Sequence, residues 1–181
     1  MTAIVGLVHE GTVFIGGDSA GVSGYGLTVR ADQKVFATGP YVMGFTTSFR
    51  MGQLLRYAFE APAPETEQLE KFMTTAFVDG VRETLKAGGW LKKDSEQEEG
   101  GTFLVGVAGR LFVVDDDFQV GEAADEYAAV GCGDELALGA LYATAKLGMD
   151  PGPRLTTALL AAERFSAGVR GPFTLVSTPR G

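Results

Sequence analysis

Thr2-Ala3-Ile4-Val5-Gly6-Leu7-Val8 and Thr12-Val13-Phe14-Ile15-Gly16-Gly17-Asp18 are two apolar, β-branched runs that flank His9-Glu10-Gly11. Runs of this length, divided by a short glycine-bearing segment, predict an N-terminal hairpin. The Gly- and Ser-rich stretch from Gly16 to Gly26 predicts a loop. Lys34-Val35-Phe36-Ala37-Thr38 and Tyr41 to Thr46 predict a second hairpin across Gly39-Pro40. From Ser48 the period changes: Met51, Leu54, Leu55 and Ala58 share one helical face.

Ala61 to Pro64 breaks that helix. Glu65 to Lys86 predicts a longer amphipathic helix with Leu69, Phe72, Met73, Ala76 and Leu85 inward. Gly88 to Gly101, with Lys92-Lys93-Asp94 and Glu96 to Glu99, reads as an exposed acidic connection. Strands resume at Thr102 to Ala108, Arg110 to Asp115 and Tyr127 to Val130. A helix with Leu136, Ala140, Ala143 and Leu147 inward follows Gly131-Cys132-Gly133. A second starts near Pro153 with Leu155, Leu159 and Ala162 inward, and Phe173 to Ser177 is the last strand. Grouped strands and grouped helices predict an α+β fold of stacked antiparallel sheets covered by helix pairs. No repeat or boundary interrupts the order, so residues 1–181 are expected to form a single domain.

Composition narrows the function. Of 181 residues, 45% are hydrophobic and 21% charged, which excludes a disordered chain, and the apolar runs are too short to span a bilayer. Fifteen basic residues against 23 acidic ones give a net charge of −8, which argues against binding a phosphate backbone. One cysteine excludes an internal disulfide framework, and one histidine argues against a multi-ligand zinc site. Met1-Thr2-Ala3-Ile4 lacks a basic signal-peptide start and Glu10 interrupts the apolar stretch, so a cytoplasmic location is expected. The 26 glycines punctuate β-rich runs and predict tight turns.

Four local features recur together. The chain opens Met1-Thr2-Ala3-Ile4-Val5-Gly6; Asp18-Ser19 follow the second strand; Lys34 opens a later one; Gly131-Cys132-Gly133 precede an Ala-rich helix. In this combination the chain resembles the proteasome β-type subunits, members of the N-terminal nucleophile (Ntn) hydrolases. It is similar to the bacterial HslV-like subunits in size and in an expected lack of propeptide. The resemblance covers nearly the whole chain, and the spacing of Thr2, Asp18 and Lys34 is its most specific part. It implies a four-layer αββα sandwich.

The resemblance also implies roles: Thr2 as nucleophile and base, Asp18 and Lys34 as the polarising pair. The chemistry is coherent. A threonine hydroxyl needs a base beside it, and the only histidine lies in a predicted turn. A free α-amino group, with an ordinary pKa of roughly 7.7–8.0, is the alternative. A nearby Lys34 ammonium lowers that value by like-charge repulsion, and Asp18 holds Lys34 charged.

Several positions depart from the family pattern. The glycine that supplies an oxyanion-hole N–H is Thr47 here, and the serine of the Gly-Ser-Gly motif is Cys132. An Asp and a Ser three residues on are replaced by Phe165 and Gly168, leaving Ser166 or Cys132 to substitute. Plainer readings stand beside these. Asp18 can cap a turn, Lys34 can be a solvated strand-edge lysine, and Cys132 can be a small buried filler. Asp115-Asp116-Asp117 reads as an exposed turn, since the other ligands of a calcium loop are missing.

The function implied is a threonine-type peptidase subunit of a self-compartmentalising ring, which cleaves peptide bonds with Thr2 after removal of Met1. That chemistry requires no metal or organic cofactor. The partners implied are unfolded polypeptide and further copies of the chain in a ring; an ATP-dependent unfoldase is a candidate that no residue indicates. Nucleic acid and membrane are not expected partners. Phe49, Tyr57, Phe59 and Phe77 lie off the inward stripes and are expected to form exposed aromatic contact surface. Two alternatives remain open: an inactive structural or assembly protein, and an Ntn amidohydrolase acting on a small amide.

Overall fold

The computed structural model describes residues 1–94 and 97–179. Its first half runs β1 (Ile4–His9), β2 (Thr12–Gly17), β3 (Ala20–Ser23), β4 (Gly26–Val29), β5 (Val35–Thr38), β6 (Tyr41–Phe45) and α1 (Phe49–Tyr57). A longer helical segment follows as α2 (Leu69–Phe72), a π-helical turn (Met73–Phe77) and α3 (Val78–Ala87). Then come β7 (Lys92–Asp94), β8 (Gln97–Glu99), β9 (Phe103–Val107), β10 (Arg110–Val114), β11 (Val120–Glu122) and β12 (Tyr127–Val130). The chain closes with α4 (Asp134–Thr144), α5 (Pro151–Phe165) and β13 (Thr174–Ser177).

Turn chemistry sets the pairing. Glu10 (φ 48°) and Gly11 (φ 73°) both take left-handed backbone, as do Ala108 (φ 50°) and Gly109 (φ 74°). Two such residues in succession match the twist of paired strands, so β1–β2 and β9–β10 close as tight hairpins. Antiparallel pairing builds one sheet in the order β12-β1-β2-β13 and another in the order β11-β10-β9-β6-β5. Side chains alternate between faces. Ile4, Val13 and Ile15 of the first sheet meet Val35, Val42, Leu104 and Leu111 of the second in one apolar cluster. Glycine permits the close approach: a Cβ on Gly44 would lie 2.5 Å from Ile4, and one on Gly106 would lie 2.4 Å from Val13. On the opposite face of the first sheet, Val5 and Leu7 pack with Leu141 of α4 and Leu155 and Leu159 of α5. On the opposite face of the second, Tyr41, Met43 and Phe45 pack with Met51 and Leu55 of α1 and Val81 and Leu85 of α3.

Some expectations are corrected. The stretch from Gly16 to Gly26 is not all loop, because β3 and β4 form a hairpin that pairs only with itself; its small side chains and exposed β4 hide the strand pattern. The π-helical turn inserts a residue into the helical phase, so Ala76 turns outward and Phe77 inward. The aromatic surface predicted from Phe49, Tyr57, Phe59 and Phe77 does not form. Phe77 (0% exposed) and Phe59 (7%) are core, with ring centroids 5.4 Å apart edge-on. Phe49 is half-buried, and only Tyr57 is fully exposed.

In α4 the buried residues are Ala137, Leu141 and Thr144, while Leu136 and Ala143 are exposed and Ala140 is half-buried; Leu147, also exposed, lies beyond the end of the helix. Alanines and leucines occur all round that helix, so its inward stripe is not distinctive in sequence. Ala58 is exposed at the end of α1. The acidic connection contains the β7–β8 hairpin, and part of it, including Glu96, lies outside the described residues. Asp115 and Asp117 accept hydrogen bonds within the turn between β10 and β11. Among the described residues, no cluster of His, Cys, Asp and Glu could hold a metal ion, and no helix is long and apolar enough to cross a membrane.

Candidate active site

The register of the first hairpin brings Thr2 and Asp18 together. Ile4 pairs with Gly17, so the residues just outside the hairpin face each other: the Asp18 N–H donates to the Ala3 carbonyl at 3.3 Å, and the Ala3 N–H donates to Asp18 Oδ1 at 3.1 Å. Lys34 immediately precedes β5, its carbonyl accepting from the Phe45 N–H at 3.0 Å. Gly17 leaves room beside this strand, since a Cβ there would lie 2.9 Å from Val35 and 3.7 Å from the Lys34 Cβ. Lys34 Nζ then donates to Asp18 Oδ1 at 2.7 Å and to Thr2 Oγ1 at 2.8 Å.

This ion pair is almost dry, with the Lys34 and Asp18 side chains 1% and 0% exposed. Lys34 is therefore not a solvated strand-edge lysine. Asp18 Oδ2 accepts from the backbone N–H groups of Ala20 (2.9 Å) and Arg170 (3.1 Å), so each of its oxygens has two donors. Asp18 is thus a backbone organiser as well as a counter-ion. Burial pushes the Lys34 ammonium below its ordinary pKa, with Asp18 opposing the shift.

Thr2 lies against the Gly131-Cys132-Gly133 turn. The Thr2 N–H donates to Cys132 Sγ at 3.2 Å, and the Gly133 N–H donates to the Thr2 carbonyl at 3.3 Å. Gly131 has φ 102°, and a Cβ on it would lie 2.4 Å from the Thr2 carbonyl oxygen, so both backbone angle and space require glycine. Cys132 is exposed and not a buried filler. The Thr2 hydroxyl donates to the Met1 carbonyl, and the Thr2 nitrogen is a peptide amide.

A pocket of about 370 Å³ opens beside Thr2 and Lys34, walled by the β3–β4 hairpin on one side and by Thr47, Ser48 and Phe49 on the other. Thr47 is left-handed (φ 56°) and its hydroxyl accepts from the Thr102 N–H at 3.1 Å. Thr46 Oγ1 donates to the Thr102 carbonyl at 2.9 Å, so two adjacent side chains pin this loop to the start of β9.

No protein-family model and no curated protein matches the chain. Solved structures do. BPH from Thiobacillus denitrificans in complex with epoxomicin superposes with a TM-score of 0.82 at 20% identity, over 98% of each chain. HslV from Trypanosoma brucei gives 0.69 at 17% identity, over 97% of this chain and 98% of that one. Anbu from Yersinia bercovieri gives 0.66 at 15% identity, over 98% of this chain and 82% of that one. The fold is that of the proteasome-like Ntn hydrolases.

Within this proteasome-like fold Thr2, Lys34 and Thr47 line the pocket, Asp18 lies buried behind it on Lys34 Nζ, and Cys132 accepts from the Thr2 nitrogen outside the pocket lining. Phe165 is exposed at the end of α5 and plays no part there. Gly168 lies close behind the N-terminus, where a Cβ would fall 2.4 Å from Met1 Cβ and 2.6 Å from Cys132 Sγ. Ser166 Oγ lies 3.6 Å from Cys132 Sγ. Arg30, Phe49 and the Arg170 N–H were not foreseen. Arg30 and Phe49 lie in unremarkable sequence, and a backbone donor leaves no trace in side-chain identity.

Proposed function

We propose that the chain is a threonine peptidase that hydrolyses peptide bonds with Thr2 once Met1 has been removed. One observation carries this reading: the Lys34 ammonium, neutralised by Asp18 in a dry setting, sits 2.8 Å from the Thr2 hydroxyl at the edge of an open pocket. A cation there stabilises negative charge developing on Oγ1, and its field lowers the pKa of a nearby amine.

Removal of Met1 frees the nitrogen lone pair and ends the hydroxyl's bond to the Met1 carbonyl. The amine takes the hydroxyl proton as Oγ1 bonds to the substrate carbonyl carbon. The same proton passes to the leaving amine as the C–N bond breaks. Water, giving up a proton to the Thr2 amine, then attacks the acyl ester, and that proton passes to Oγ1 as the C–O bond breaks and the acid product leaves. The Thr47 N–H is assigned to the oxyanion, and Cys132 is assigned to orient the amine. The reading includes one domain over residues 1–181, a four-layer αββα sandwich, homo-oligomeric rings, unfolded polypeptide as substrate and a cytoplasmic location. Its support is the likeness to HslV and Anbu together with the three apolar clusters.

A second reading is an inactive structural homologue, favoured by Phe165 at the place where the family resemblance implies an aspartate. Treatment with an electrophile directed at N-terminal threonine, followed by peptide mapping, separates the two. An adduct on Thr2 with loss of peptide turnover supports the peptidase. An unmodified Thr2 in a chain that begins there supports the inactive homologue.

A further inference from the structure

Arg30 follows β4 and is held in place from four sides. Its N–H donates to the Ser19 carbonyl at 2.8 Å, and its guanidinium lies 3.7 Å from the centroid of the Phe49 ring. Nε and Nη2 form a fork on the Asp32 carboxylate at 2.7 and 2.6 Å. A Cβ on Gly21 would lie 2.7 Å from Arg30 Cδ, so glycine makes room for the side chain. Arg30 and Phe49 together bridge the two walls of the pocket beside Thr2.

The charges on this bridge are not evenly presented. Arg30 faces the pocket that contains Thr2, whereas Asp32 lines a separate depression behind Phe49. Among the described residues, none that line the Thr2 pocket is Asp or Glu, in a chain of net charge −8. Lys34 is the other cation there and is committed to Asp18 and Thr2. A guanidinium has five N–H donors, and the Asp32 fork leaves Nη1 and one hydrogen of Nη2 for another acceptor.

We propose that Arg30 is a specificity-determining residue that favours peptides with an acidic side chain on the acyl side of the cleaved bond. This rests on the peptidase reading above. Because the pocket adjoins Thr2, it is assigned to the side chain of the residue whose carbonyl meets Thr2 Oγ1. A carboxylate there accepts a charge-assisted hydrogen bond from Arg30, while a lysine or arginine meets two cations and no anion. Asp32 tempers the attraction without cancelling it, because it stands on the far side of the guanidinium. The pair is also partly solvated, with side chains 37% and 44% exposed, so the preference is at most about fivefold.

The test is cleavage of a mixed peptide library by the Met1-free protein, with cut sites read by mass spectrometry for the wild type, Arg30→Gln and Asp32→Asn. The expected result is cutting after Glu and Asp in preference to Lys and Arg by up to about fivefold. Arg30→Gln should collapse that ratio through a higher KM for acidic peptides, and Asp32→Asn should widen it. A purely structural role for Arg30 would lower all substrates together and leave the ratio alone. Cutting after Leu or Lys with no acidic preference, or a ratio unmoved in both variants, overturns the inference and leaves the peptidase reading standing. No cutting of any peptide removes both.

Discussion

Lys34 Nζ reaches the Thr2 hydroxyl at 2.8 Å while bonded to Asp18 at 2.7 Å, and neither charged side chain is more than 1% exposed. The two contacts have different consequences. The bond to Asp18 offsets the cost of burying the ammonium, and the bond to Thr2 directs its charge at the oxygen assigned as nucleophile.

Lys34→Met keeps the stem and deletes the charge. Peptide turnover should fall on the order of a thousandfold. The fold should persist, because Asp18 retains the N–H donors of Ala3, Ala20 and Arg170. Turnover assays beside thermal melts check this; full activity in a folded variant contradicts the assigned role.

Asp18→Asn should act mainly on stability. An amide there must turn an NH2 group toward backbone donors and leaves Lys34 as a buried charge without a counter-ion. Losing one partner of a buried pair costs about 3–5 kcal/mol. Urea unfolding reads the loss directly, and the change should exceed that for Lys34→Met.

The pH dependence follows from burial of Lys34, which sets its folded-state pKa below the ordinary 10.5. Between the folded value and 10.5 the unfolded chain binds the extra proton, so this group's contribution to stability rises as pH climbs through that window. Activity should move the opposite way. Once the ammonium is lost it no longer donates to Thr2, so kcat should fall on the alkaline side before pH 10.5 is reached. Urea midpoints and a kcat profile across the same pH range measure the two trends.

Thr47→Gly separates backbone strain from positioning. Left-handed backbone costs a β-branched residue about 1–3 kcal/mol, which glycine relieves at the expense of the Thr47–Thr102 bond and of unfolded-chain entropy. Stability should therefore change by less than about 1 kcal/mol. The N–H assigned to the oxyanion loses its anchor, and kcat should fall about tenfold with little change in KM. Thr47→Ser, which keeps the hydroxyl, should retain most of the activity.

Thr2, Asp18 and Lys34 are legible in the sequence through the spacing shared with the proteasome β-type subunits that the chain resembles, and short-range geometry accounts for that spacing. The hairpin closed by Glu10-Gly11 sets Ala3 opposite Asp18, which leaves Thr2 next to it, and Lys34, just before β5, reaches both Asp18 and Thr2. Phe77 is not legible as core because a π-helical turn shifts the helical phase by one residue, and Phe59, beyond the end of α1, is buried by packing edge-on against Phe77. The inward face of α4 was misread because its exposed leucines are as apolar as its buried ones. The β3–β4 hairpin, and with it Arg30 as part of a pocket wall, was hidden by glycine, serine and exposure.

The terminal amine of Thr2 is the centre of the account. With Met1 attached, that nitrogen is an amide donating to Cys132 Sγ, and the hydroxyl is turned to the Met1 carbonyl. An amide lone pair is delocalised and does not accept a proton near neutral pH. The most direct measurement is peptide turnover by two forms of the protein, one beginning at Thr2 and one retaining Met1, each verified by intact mass and by melting. The form beginning at Thr2 should cleave peptides, and the form that retains Met1 should be folded and inert. Equal turnover by the two would contradict the amine as base.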